Sequence, residues 1–107
     1  METIEAIKKR RSIREYQDRL IPKEALEQII DAARFAATAR DIQPWEFVVI
    51  TDKEVLKKIA AFAENGRFLA GAQACIAVFC SETKYYLEDG CAATENMLIA
   101  ADRKSVV

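Results

Sequence analysis

The sequence predicts an α+β fold, a sheet flanked by helices. Two observations carry that prediction: amphipathic patterning with a period near 3.6 residues, and two short apolar runs of strand length. A short helix is expected over Thr3 to Lys9, with Ile4 and Ile7 facing inward. Pro22 opens the second helix, a place where its missing N–H is harmless. Leu26, Ile29, Ile30, Ala33 and Ala37 follow one another at helical spacing and define its buried face. The alanine-rich tail of that face leaves room for another group to come close to the backbone. A loop from Thr38 to Pro44 follows, because proline discourages helix at Gln43.

Trp45 to Ile50 reads as a strand. Asp52 caps a third helix, Lys53 to Glu64, with Leu56, Ile59, Ala60 and Ala63 inward and Asn65-Gly66 as its stop. Ala74 to Cys80 is continuously apolar, the pattern of a buried strand. Asp89 to Ala101 reads as a helix apolar on most sides, which suits the centre of a large core or a subunit interface. Two strands alone make a poor sheet, so the chain is expected to need a partner.

Composition narrows the function. The 107 residues suit one domain, 1–107, and the formal net charge of -1 disfavours a general nucleic-acid binder. No stretch approaches the ~20 apolar residues of a membrane span, and the N-terminus has no signal-like apolar region, so the cytoplasm is the expected location. Histidine is absent, which excludes Ser-His-Asp and Cys-His catalysis. Cys75, Cys80 and Cys91 form no C-x-x-C pair, so neither a disulfide framework nor a zinc site is expected; they are read as buried, inert thiols. The three glycines, at 66, 71 and 90, make no Gly-rich phosphate loop. A bound phosphate would therefore be held largely by side chains.

Lys9 to Tyr16, KRRSIREY, offers those side chains: Arg10, Arg11 and Arg14 around the hydroxyl of Ser12. The planar guanidinium donates paired hydrogen bonds to oxyanions. Taken alone, the cluster reads more readily as a solvated helix end than as a phosphate site. One helix later, AATARDIQPWEFVVI (Ala36 to Ile50) joins a small-residue loop to a strand. This pair of segments resembles the nitroreductase family, whose opening is RRSxRxF followed, after a helix, by APSxxNxQPWxF. The segment AATENMLIAA resembles that family's AAxQNLLLAA helix. The resemblance spans about Ile4 to Ala101, and the chain then stops short of the family's usual end, with residues 102–107 reading as an aberrant tail.

The resemblance implies a nitroreductase-like fold, incomplete at the C-terminus, in a homodimer with FMN sites at the subunit interface. It implies that Arg10, Arg11, Ser12 and Arg14 hold the FMN phosphate and ribityl chain. It places Ala36, Ala37, Thr38, Asp41 and Gln43 in a loop from the other subunit against the flavin. The family's proline is replaced at Ala37 and its asparagine at Asp41, where an ionised carboxylate can only accept. Trp45 reads as a packing residue, and Glu95-Asn96 as structural. The implied activity is ping-pong electron transfer from NADH or NADPH through FMN to small nitroaromatic or quinone-like acceptors, with no catalytic side chain, no metal and no nucleic acid or membrane partner. The alternative is a truncated flavin-binding or structural homologue without turnover. An anion- or RNA-binding helical module rests on the arginine cluster alone.

Overall fold

The computed structural model describes residues 2–103. Within them the chain forms α1 (Thr3–Lys9), α2 (Lys23–Arg34), β1 (Trp45–Ile50), α3 (Lys53–Phe62), β2 (Cys75–Cys80) and α4 (Tyr86–Arg103), with tight turns at Ala39–Asp41 and Arg67–Gly71. The two strands pair antiparallel, Trp45 opposite Cys80 and Ile50 opposite Cys75. The connection between them carries α3, so the pair is not a simple hairpin. The α+β character expected from the patterning is what the chain adopts.

The core forms where α2 and α4 meet over the sheet. Ile29 and Ala33 of α2 pack with Ala93 and Met97 of α4, and Trp45, Phe47, Ile76 and Val78 close the cluster from the strands. Small residues set the spacing. A Cβ at Gly90 would stand 3.1 Å from Cys80 Sγ, tighter than ordinary contact, so glycine lets α4 approach β2. Removing a buried methionine side chain such as Met97 would leave a cavity, typically at a cost of about 2–5 kcal/mol.

Two helix ends are closed by identifiable partners. The Asp52 carboxylate accepts from the Glu54 and Val55 N–H groups at 2.8 and 3.3 Å, the N-cap read from the sequence. At the end of α2, the Phe35 and Ala36 N–H groups reach back only three residues, to Ala32 and Ala33, and the helix closes. Asn96 Nδ2 donates to the Ala32 carbonyl at 3.0 Å, so α4 satisfies a terminal carbonyl of α2. Asn96 is structural as expected, within one chain.

Several expectations are corrected. Ile4 and Ile7 are exposed and Ala6 is the buried residue of α1, because this seven-residue helix meets α4 along a narrow line. Ala37 lies beyond α2 and is exposed, since the helix has already closed at Arg34. The third helix stops at Phe62 rather than Glu64, with Ala63 extended. β2 is half-buried, with Phe79 exposed, because only one face meets helices. The last helix starts three residues earlier than Asp89, and Asp102 and Arg103 continue it. Residues 104–107, the rest of the supposed aberrant tail, lie outside the described residues.

Candidate functional site

The arginine cluster divides its labour. Arg11 turns back onto its own helix, donating through Nη1 to the Lys8 and Arg10 carbonyls, each at 3.1 Å, a cation at a helix C-terminus. Arg10 donates to Ser12 Oγ at 3.3 Å and pairs through Nε with Glu95 on α4 at 3.6 Å. Arg14 lies over the Phe68 ring, 5.8 Å from its centroid, and forms no ion pair among the described residues. Tyr16 meets the same ring at 6.2 Å, and Gln73 Nε2 donates to Asp18 Oδ1 at 3.2 Å. These contacts lay the segment after α1 across the Arg67–Gly71 turn.

That segment forms a wall of a broad cavity of about 1280 Å³, which Arg11, Ser12 and Arg14 line together with Phe68. Arg19 and Arg103 also reach it, against the two acids Glu15 and Glu24, so the balance of charge favours an anion. Arg10 does not line this cavity; its guanidinium is taken up by Glu95 and by the Ser12 hydroxyl. Burial raises the hydroxyl pKa of Tyr16, opposed by the Arg14 charge and aided by Cys75. The side chains present fit the phosphate end of a nucleotide-like group, with the Arg14 guanidinium free of carboxylates among the described residues and the Ser12 hydroxyl lining the same cavity.

The second segment is built differently. Thr38 is extended, and the chain then turns through three non-glycine residues in the left-handed region: Arg40, Asp41 and Gln43, with φ of 56°, 53° and 52°. Such residues cost of order 1–3 kcal/mol each unless neighbours fix them. The neighbour here is Asp89, the buried acid of α4, which sequence reasoning missed. Its Oδ2 accepts from Thr38 Oγ1 at 2.9 Å and its Oδ1 from the Ala39 N–H at 3.1 Å. Thr38 Oγ1 in turn accepts from the Gln43 N–H at 3.1 Å, and Gln43 Nε2 donates to Asp41 Oδ1 at 2.9 Å. An acid in the first turn of a helix, just before the apolar run that begins at Gly90-Cys91, was the signal available.

Ala36 is half-buried against the core, while Ala37, Asp41 and Gln43 are exposed. None of residues 36–43 lines the cavity that holds Arg14. The structure thus brings Arg11, Ser12 and Arg14 together, sets Arg10 aside, and leaves the Ala36–Gln43 loop on another surface. Trp45 packs on the core, as read from the sequence. The cysteines are less buried than expected: Cys75 and Cys80 are half-buried and Cys91 is exposed on the outer side of α4. No group of three metal-ligating side chains occurs among the described residues, and no helix of these residues is long and apolar enough to cross a membrane.

An α+β domain with an arginine-and-serine wall and a pinned small-residue loop defines a class of proteins suited to an anionic cofactor. The chain belongs to the nitroreductase family, whose model, described as "Nitroreductase family", matches residues 7–105. A protein of Methanothermobacter thermautotrophicus, described as "Putative NADH dehydrogenase/NAD(P)H nitroreductase", is 39% identical over 106 residues, covering 94% of this chain and 56% of its own. A solved structure from Bacteroides thetaiotaomicron with the same description superposes with a TM-score of 0.92 at 31% identity, over 94% of this chain and 61% of that one. An FMN-dependent nitroreductase of Clostridium difficile R20291 gives a TM-score of 0.89 at 32% identity, over 95% and 61%. The chain therefore spans 56–61% of the length of these relatives, and the nitroreductase-like fold holds across nearly all of it.

Proposed function

We propose that this chain binds FMN and belongs to an oxidoreductase that passes electrons from NADH or NADPH to nitroaromatic or quinone-like acceptors by a ping-pong cycle. The observation that carries this reading is the wall of Arg11, Ser12 and Arg14, where Arg14 lines a broad cavity and has no carboxylate partner among the described residues. When bound, FMN supplies the redox chemistry, so no side chain need serve as acid or base, in keeping with a chain without histidine.

The protein's part is placement and charge. Arg14 and Ser12 hold the phosphate, Arg11 adds positive potential from the end of α1, and Arg10 joins them when it leaves Glu95. Ala36, Ala37 and Thr38 present a small-residue surface to the flavin. Asp41 keeps one carboxylate oxygen free of Gln43 to accept from a ribityl hydroxyl. Because the arginine wall and this loop line no common cavity in one chain, a single cofactor touching both is best shared by two copies, as a homodimer.

Purified protein should be yellow, and anaerobic NADH or NADPH should bleach the flavin band, with colour restored by a quinone or nitroaromatic. Flavin that binds without bleaching would favour a flavin-binding homologue without turnover. Absence of flavin, and failure to take up added FMN, would overturn the proposal.

A further inference from the structure

We infer that Asp89 is a positioning residue: its buried carboxylate fixes the Thr38–Gln43 loop in the shape in which that loop meets the cofactor. The inference rests on the reading of Ala36–Gln43 as a cofactor-facing loop. Asp89 is 4% exposed, and lies some fifty positions from the residues it binds. Its two oxygens take up two donors of the loop, the Thr38 hydroxyl and the Ala39 N–H. The Thr38 oxygen passes the constraint on by accepting from the Gln43 N–H, so one carboxylate governs both ends of the turn. Between those ends stand Arg40 and Asp41, with Gln43 closing, all in left-handed backbone. No glycine stands in this turn; its internal bonds, Asp41 N–H to the Thr38 carbonyl and Ile42 N–H to the Ala39 carbonyl, hold its middle, and Asp89 is the acceptor outside the loop that ties it to α4.

Asp89 is therefore expected to act on ligand affinity through backbone geometry, without touching the ligand. The test compares the full-length parent with Asp89→Ala, Asp89→Asn and Thr38→Val, reading amide hydrogen exchange by NMR and FMN titration by fluorescence. In Asp89→Ala the Ala39 and Gln43 amides should exchange about tenfold faster or more, with β1 amides unchanged, and FMN affinity should fall about tenfold. Asp89→Asn keeps one acceptor oxygen and should recover part of both effects, whereas Thr38→Val should free Gln43 alone.

Unchanged loop exchange in Asp89→Ala and Asp89→Asn would overturn the inference. So would exchange that rises equally in β1, which marks a general loss of structure, or loosened loop amides with unaltered FMN affinity. If Asp89→Ala does not fold, Asp89→Asn and Thr38→Val carry the same comparison. A parent that takes up no FMN defeats the proposed function, and the positioning role then stands or falls on the exchange data.

Discussion

At the scale of single residues, Arg14 and Glu95 work in opposite directions. Arg14 is a cation with no described carboxylate partner, and a charge-assisted bond to phosphate contributes roughly 1.5–3 kcal/mol. Arg14→Ala is expected to weaken FMN binding about tenfold or more in a fluorescence titration. Glu95, by contrast, occupies Arg10 in a half-exposed ion pair of the kind that contributes at most about 1 kcal/mol. Glu95→Gln should therefore release Arg10 and tighten FMN binding by no more than about fivefold, an effect that shrinks as salt is added. The thiols give a separate prediction. Burial pushes the pKa of Cys75 up; burial, then the charges of Asp89 and Cys91, do the same for Cys80. Above the ordinary thiol value, about pH 8.5, the unfolded chain loses protons that the folded chain keeps, so stability falls as pH rises. That contribution is complete below about pH 8.5 and is lost as pH climbs through the raised thiol values. Urea midpoints should drop between neutral and alkaline pH, and Cys75→Ala should flatten the drop.

Among the elements, the junction of α2 and α4 matters most. Asn96 donates to the Ala32 carbonyl, where α2 has run out of its own donors. Asn96→Asp would set a carboxylate oxygen against that carbonyl, and a loss of about 1–3 kcal/mol is expected, read as a lower urea midpoint. Helix identity was legible in the sequence wherever a cap or a regular stripe announced it. Asp52 and the Leu56–Ala60 face are where patterning put them, and α1 keeps the expected bounds. Tertiary geometry was not. Ile4 and Ile7 satisfy the same periodic rule as Leu56 and Ala60, yet periodicity cannot say which stripe finds a partner. Ala37 continued the stripe of α2, but that helix ends first, through the three-residue turn at Phe35 and a bond from Asn96, sixty-four positions away. The arginine cluster was visible as residue types, while its division among Glu95, the α1 carbonyls and the cavity was not. Asp89 escaped notice because an acid in the first turn of a helix, next to Glu88, reads as a solvent-facing residue until the fold buries it.

For the molecule as a whole, exposed apolar surface is the feature that bears on the proposed dimer. Phe35 and Phe62 are 80% and 90% exposed, and the two-stranded sheet shows Val48, Val49 and Phe79. Large exposed apolar groups of this kind mark interaction surfaces. Sedimentation velocity at micromolar concentration is expected to give a dimer, and a well-folded monomer would overturn the shared-site proposal. The long reach between α2 and α4 also has a consequence for the chain as it is made. Ile29 and Ala33 have an incomplete core until their partners on α4, Ala93 and Met97, arrive about sixty residues later. At roughly 5–20 residues per second of synthesis, the apolar stripe of α2 waits on the order of 3–12 s before its packing partner exists. Throughout that interval the nascent segment presents an unsatisfied greasy helix to the cell, so its yield should depend on chaperone capacity and on the speed at which ribosomes traverse the message between the two helices.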